Sequence, residues 1–182
     1  MIWRDAAGRD VIDRAIRGLY NDLGTAVAER RPVCNASGRC CKFEEYGHRL
    51  YVTGLEIAWF LVGVGSQVLG DSGKPAQAAN EPSVLRPGMS LQQLPPATNH
   101  QPPVTSGTCP YQINGLCSTH TIRPLGCRVF FCEQGTEAWQ QDTTEHFLDR
   151  LKQLHAEHDL PYAYMEWRAG LAEAHQFLDA ST

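Results

Sequence analysis

The chain carries seven cysteines, and they fall into two tight groups: Cys34, Cys40 and Cys41, then Cys109, Cys117, Cys127 and Cys132. Thiolates are soft donors, and several at short spacing supply what zinc or an iron–sulfur cluster requires. Disulfide pairing is the rival chemistry. An odd number of cysteines leaves at least one thiol over. Residues 1–15 read MIWRDAAGRDVIDRA, with acids and arginines where the apolar run of a secretory signal would stand, and no lipidation motif is present. The expected compartment is therefore the cytoplasm, where thiols stay reduced and clustered cysteines bind metals or react.

In the first group, Gly38 stands where the backbone must turn sharply toward a bound centre. A cysteine in place of Ser37 would make the run C-x2-C-x2-C-C, close to the ferredoxin-style wrap. Ser37 is then a weak oxygen ligand, a hydrogen-bond donor to a sulfur, or a loop serine. Adjacent side chains on an extended backbone point to opposite faces. Cys40 and Cys41 are thus expected to serve two metal atoms, or one binds while the other packs as a small apolar group. Cys132, after Val129-Phe130-Phe131, reads as a further ligand or as a buried free thiol. Arg123 and Arg128 flank the last cysteines. Their guanidinium groups would offset thiolate charge and hydrogen-bond the sulfurs, or else form structural salt bridges.

Taken in order, Cys34-x5-Cys40-Cys41, Cys109-Pro110, Gly115-Leu116-Cys117, Arg123-Pro124 and Cys127-Arg128-x-Phe130 resemble the YkgJ-like cysteine-cluster family. Its members are described as zinc- or iron-chelating, or Fe–S cluster-containing, proteins. The Leu50–Ile57 stretch also resembles that family's strand followed by a threonine-led helix, and the resemblance spans roughly residues 33–62 and 108–132. It implies Cys34, Cys40, Cys41, Cys109, Cys117 and Cys127 as metal ligands, with Cys132 as an extra. The chain departs from the pattern at Ser37, where the family has cysteine, and at His120, where it usually has tyrosine. An imidazole nitrogen of His120 is one replacement donor, and a hydrogen-bonded residue of a helical turn is the other reading. The family in turn resembles the cysteine-rich part of flagellin lysine methylases, which implies a transferase-type activity as an alternative.

The elements that must position these residues are mostly helical. Ile12, Ile16, Leu19, Leu23 and Val27 form one apolar stripe over Arg9–Arg30, stopped by Pro32. Phe43–Val52 reads as a short β-like stretch interrupted at Gly47. Thr53 and Glu56 form a capping box at the start of a second helix, with Leu55, Ala58, Trp59 and Val62 on its core side. Residues 66–107, rich in Pro, Ser, Gln and Ala, read as an inserted, flexible excursion with a single turn at Ser90–Leu94. Asn114-Gly115 signals a type I′ hairpin between Tyr111–Ile113 and Leu116–Ser118. Helices are expected over Glu137–His158 and, after Pro161, over a last segment carrying Tyr164, Trp167, Leu171, Ala174, Phe177 and Leu178. His146, His155 and His158 fit a solvated helical face better than a second metal site.

A net charge of −4 and a pI near 5.9 give no basic footprint for nucleic acid. The longest apolar stretch, around Leu55–Val64, is too short for a bilayer. No phosphate loop, nucleophile elbow or dinucleotide fingerprint is present. The expectation is a single, mainly α domain over residues 1–182. Within it, a small irregular, β-hairpin-containing metal centre is built from residues 33–62 and 108–134, and C-terminal helices run over 137–180. Its expected function is to hold one cysteine-ligated centre, with an iron–sulfur cluster of the 4Fe-4S type ahead of zinc. Thiols exceed the four of a closed zinc site, and paired C-x2-C knuckles are absent. The role is redox or structural; a transferase or oxidoreductase using the cluster, or a metal storage or delivery protein, is the alternative. The expected partner is a metal ion or cluster, with neither nucleic acid nor membrane. One of Cys34, Cys40 or Cys41 should come within reach of one of Cys109, Cys117 or Cys127.

Overall fold

Helices make up most of the computed structural model, which describes residues 2–68 and 107–179. The chain opens with a short helix, α1 (Ile2–Ala7), which sequence reasoning missed, and turns at Gly8-Arg9 into α2 (Asp10–Arg30). Arg9 is extended (φ −84, ψ 129), so the two helices are not one. Trp3 anchors α1 by donating Nε1 to Pro161 O at 2.8 Å. Ile12, Ile16, Leu19 and Leu23 of α2 are buried as their spacing requires, each burial stabilising by about 1.5–3 kcal/mol. Arg31 ends the helix in the left-handed region (φ 53), its N–H returned to Val27 O, and Pro32 prevents continuation.

Of the expected Phe43–Val52 stretch, only its end becomes a strand, β1 (Tyr51–Thr53); Gly47 (φ 66) lies in a turn. Thr53 then starts α3 (Gly54–Val68) through the expected capping box. Glu56 N donates to Thr53 Oγ1 at 3.2 Å, and Thr53 N donates to Glu56 Oε2 at 2.8 Å. Leu55 and Trp59 are buried as expected. Val62 is 40% exposed, while Ile57, Phe60 and Val64 are buried in addition, because α3 is covered on several sides, by α1 and the last helix among others. Apart from its two ends, the 66–107 stretch, including the Ser90–Leu94 turn, lies outside the described residues; α3 runs into it as far as Val68.

The hairpin forms where expected. Strands β2 (Gln112–Ile113) and β3 (Leu116–Cys117) pair antiparallel, and Asn114 (φ 52) and Gly115 (φ 79) both take the positive φ of a type I′ turn. Next come α4 (Leu125–Val129), which the sequence did not signal, and α5 (Glu137–Glu157). Tyr164 was expected in the final helix but stands in strand β4 (Tyr164–Glu166), which pairs antiparallel with β1 in the register Tyr51↔Glu166, Val52↔Met165. Pairing with the open backbone of β1 overrides the helical spacing there. Trp167 N closes the sheet on Leu50 O at 2.9 Å, and α6 (Trp167–Asp179) follows.

His155 overturns the expected solvated face. It is buried, its Nδ1 lies 3.0 Å from Pro161 O, and its ring meets Tyr162 edge-on at 5.4 Å. His146 is exposed, and His158 is the C-terminal cap of α5. Among the described residues no helix is long and apolar enough to cross a membrane.

Candidate metal centre

The two cysteine groups meet through the backbone. Cys109 N donates to Cys41 O at 2.6 Å, and Glu44 N donates to Gly107 O at 3.0 Å, so the segment after the first group is strapped to the segment that begins the second. Gln112 reinforces the strap, donating Nε2 to Gly38 O at 2.8 Å. Gly38 (φ 71) is required here twice over. A side chain would strain the left-handed backbone, and its Cβ would collide with the Gly115 carbonyl oxygen of the hairpin turn. The sharp turn expected at Gly38 thus serves the approach of the hairpin.

Cys40 and Cys41 do not sit on an extended backbone. They occupy a 3-10 turn over Arg39–Cys41, which brings both sulfurs to the same side, 4.0 Å apart. The expectation that they point to opposite faces is therefore corrected: a tight helical turn rotates successive side chains by roughly a third of a circle, not half. Cys41 is buried, and its proton is held by the neighbouring sulfurs of Cys109, Cys117 and Cys40, pushing its pKa up. Two of these sulfurs shift the other way. Cys40 falls to about 7 and Cys117 to about 6, Cys117 also accepting from Thr119, whose Oγ1 is 3.7 Å from its sulfur. One S–H cannot serve three sulfurs at once, so these thiols titrate as a unit. Burial pushes the Cys127 thiol up, with the charges of Cys109, Cys117 and Cys40 adding to the effect.

Cys127 is delivered by α4, and α4 is positioned by Glu56. This buried carboxylate accepts four hydrogen bonds: from Thr53 N and Thr53 Oγ1 at Oε2, and from Tyr20 Oη at 2.8 Å and Leu125 N at 2.9 Å at Oε1. It joins α2, α3 and the first residue of α4. The capping box was legible in sequence; its second use was not.

The two arginines differ in role. Arg128 is buried, donates Nε to Arg123 O and Nη2 to Thr121 O, both at 2.8 Å, and lies over the Tyr20 ring at 4.3 Å. It clamps the backbone around α4. Arg123 is the cation beside the thiols: its charge helps lower Cys40 and Cys117 and opposes the rise of Cys127, and its Nε is buried without a hydrogen-bond partner among the described residues. His120 sits in a 3-10 turn over His120–Ile122, and burial together with Arg123 and Arg128 lowers its pKa to about 3.

Cys34 and Cys132 stand apart. Cys34 is exposed, and among the described residues no hydrogen bond joins it to another thiol. Cys132 faces Ser37, with Sγ and Oγ 4.0 Å apart, and Val33 N donates to Glu133 Oε2 at 2.9 Å. Ser37 Oγ also accepts from Arg39 N at 3.4 Å. The serine is thus placed against a sulfur outside the thiol group around Cys41. Sequence reasoning also missed His48, whose Nε2 is 3.3 Å from Cys40 O and whose ring stacks on Phe130 at 4.9 Å; a lone histidine in a turn gives no such signal.

Among the described residues, no three His, Cys, Asp or Glu side chains stand drawn up as a ready-made ligand set. Soft sulfurs converge around Cys41, two of them are acidified, and the charge of Arg123 acts on Cys40, Cys117 and Cys127. Compared with known proteins, the chain matches no family model, no curated protein and no solved structure.

Proposed function

We propose that the chain holds one thiolate-ligated metal centre on Cys40, Cys41, Cys109 and Cys117, with Cys127 as a fifth thiol beside them and Arg123 offsetting their charge. The observation that carries this reading is the Cys41 thiol, which meets sulfurs from both halves of the chain. The ordered cysteine motifs that resemble the YkgJ-like family support it independently. Four thiolates complete a structural zinc site or a two-iron cluster. Sulfurs bound about 2.3 Å from one tetrahedral ion stand about 3.8 Å apart. The 4.0 Å between Cys40 and Cys41 is close to that edge. The spacing therefore favours zinc, or one iron of a two-iron cluster, over a cubane that takes one thiolate per iron. Zinc would clasp the two halves together; an iron–sulfur cluster would add one-electron chemistry. Either needs reduced thiols, as in the cytoplasm.

The test is metal and sulfide analysis of protein made under iron-replete, anaerobic conditions. The expected result is stoichiometric zinc without sulfide, or two irons with two sulfides, lost in Cys41→Ser. Protein that takes up neither metal while all its thiols remain titratable overturns the proposal.

A further inference from the structure

A cavity of about 160 Å³ opens between β1, α4 and α5. Its walls are largely apolar, from Leu50, Leu125, Leu148 and Phe130, and Cys40 and Cys127 complete them. Volume sets the scale of an occupant: an apolar cavity of about 150 Å³ takes a benzene ring. Tyr51 and Tyr164 stand at its edge, stacked at 5.8 Å and nearly half exposed, so the rim is an aromatic surface. Arg49 also borders the cavity, is exposed, and among the described residues has no acidic partner. The one carboxylate in the lining, Glu56, is already engaged by four donors from Tyr20, Leu125 and Thr53. The free charge at the site is positive.

We propose that this cavity binds a small monocyclic aromatic carboxylate, its ring among the leucines and its carboxylate on Arg49. A guanidinium can take a carboxylate through two parallel hydrogen bonds, which fixes orientation as well as charge. The ring then rests against the wall that Cys40 and Cys127 share with the thiol group. The site does not depend on the metal reading, since neither the apolar walls nor Arg49 requires an ion.

Ligand-observed saturation-transfer NMR with benzoate and benzyl alcohol, on the protein as purified and with its metal content measured, tests the proposal. Benzoate is expected to bind more tightly than benzyl alcohol. Arg49→Met, an exposed change that spares the core, should weaken benzoate by about fivefold to tenfold and leave benzyl alcohol unchanged. Leu148→Trp, filling the cavity, should abolish both. No transfer to benzoate in the wild type, equal binding of the two probes, or undiminished benzoate binding by Arg49→Met or by folded Leu148→Trp overturns it. Metal content should stay at the wild-type level in Arg49→Met, so failure of this site is distinguishable from failure of the metal centre.

Discussion

The seven cysteines divide by environment and not by sequence group. Cys40, Cys41, Cys117 and Cys127 are each shifted by neighbouring thiols, Cys109 among them, while Cys34 is exposed and Cys132 faces Ser37. The first sequence group is therefore split, its two adjacent members inside the thiol cluster and Cys34 outside. The difference lies in backbone support. Cys41 is fixed by a 3-10 turn, the Cys109 N–H and the hairpin, whereas Cys34 lies in an irregular stretch after Pro32. Proximity of thiols here is a property of the strapping, and motif spacing alone does not report it.

The sharpest way to break this division is substitution. Cys41→Ser and Cys117→Ser should each remove bound metal, and Cys34→Ser and Cys132→Ser should retain it. Metal present at about 1,000 times its Kd stabilises by about 4 kcal/mol, so its loss should lower Tm by about 8–16 °C in scanning calorimetry. Equal metal content in all four variants would erase the distinction.

Next in size is Glu56→Ala. Removing an acceptor of four buried hydrogen bonds should cost about 3 kcal/mol in urea unfolding, and it should lower metal affinity by freeing α4 and Cys127. A loss of stability with metal affinity unchanged would show that α4 is positioned by packing alone.

The pH dependence is set by histidine. His120 is lowered from 6.5 to about 3, and His155 is also lowered, both chiefly by burial. The unfolded chain binds these protons first, so their contribution to stability is complete above about pH 6.5 and is lost as pH falls toward 3. Urea midpoints across that window should drop for the wild type and drop less for His120→Gln.

A finer contrast exists among the clustered thiols. In metal-free, reduced protein at pH 6.5, iodoacetamide should modify Cys40 and Cys117, at about 7 and about 6, ahead of Cys41 and Cys127, as read by peptide mass spectrometry. Reaction of Cys127 first would contradict the arrangement. The smallest effect is expected from Ser37→Cys. Since Ser37 faces Cys132 and not the cluster, metal content should match the wild type, and a rise would place residue 37 at the centre after all.

Much of the frame was legible because its signals are local. The stripe of α2, the Thr53–Glu56 box and the Asn114-Gly115 turn each follow from residues within a few positions of one another. What stayed hidden depends on distant pairing. Tyr164 is a strand residue only because β1 is there to receive it, and Glu56 is a tie between helices only because Tyr20 and Leu125 arrive beside it. For the candidate site, the donor types were readable, but the 3-10 turn that turns Cys40 and Cys41 to one side was not. Nor was the separation of Arg123 from Arg128, whose guanidinium groups differ in surroundings and not in spacing.

The strap from Cys109 N to Cys41 O also orders events during synthesis. About 67 residues separate Cys41 from Cys109, so a ribosome adding 5–20 residues per second leaves the first cysteines waiting roughly 3–13 s for their partners. During that interval Cys40 and Cys41 stand without the sulfurs of Cys109 and Cys117, open to exchange with any other thiol in the surroundings. For the metal centre proposed above, loading is consequently a late step, and expression conditions that starve or oxidise the nascent chain should be felt in occupancy before they are felt in yield.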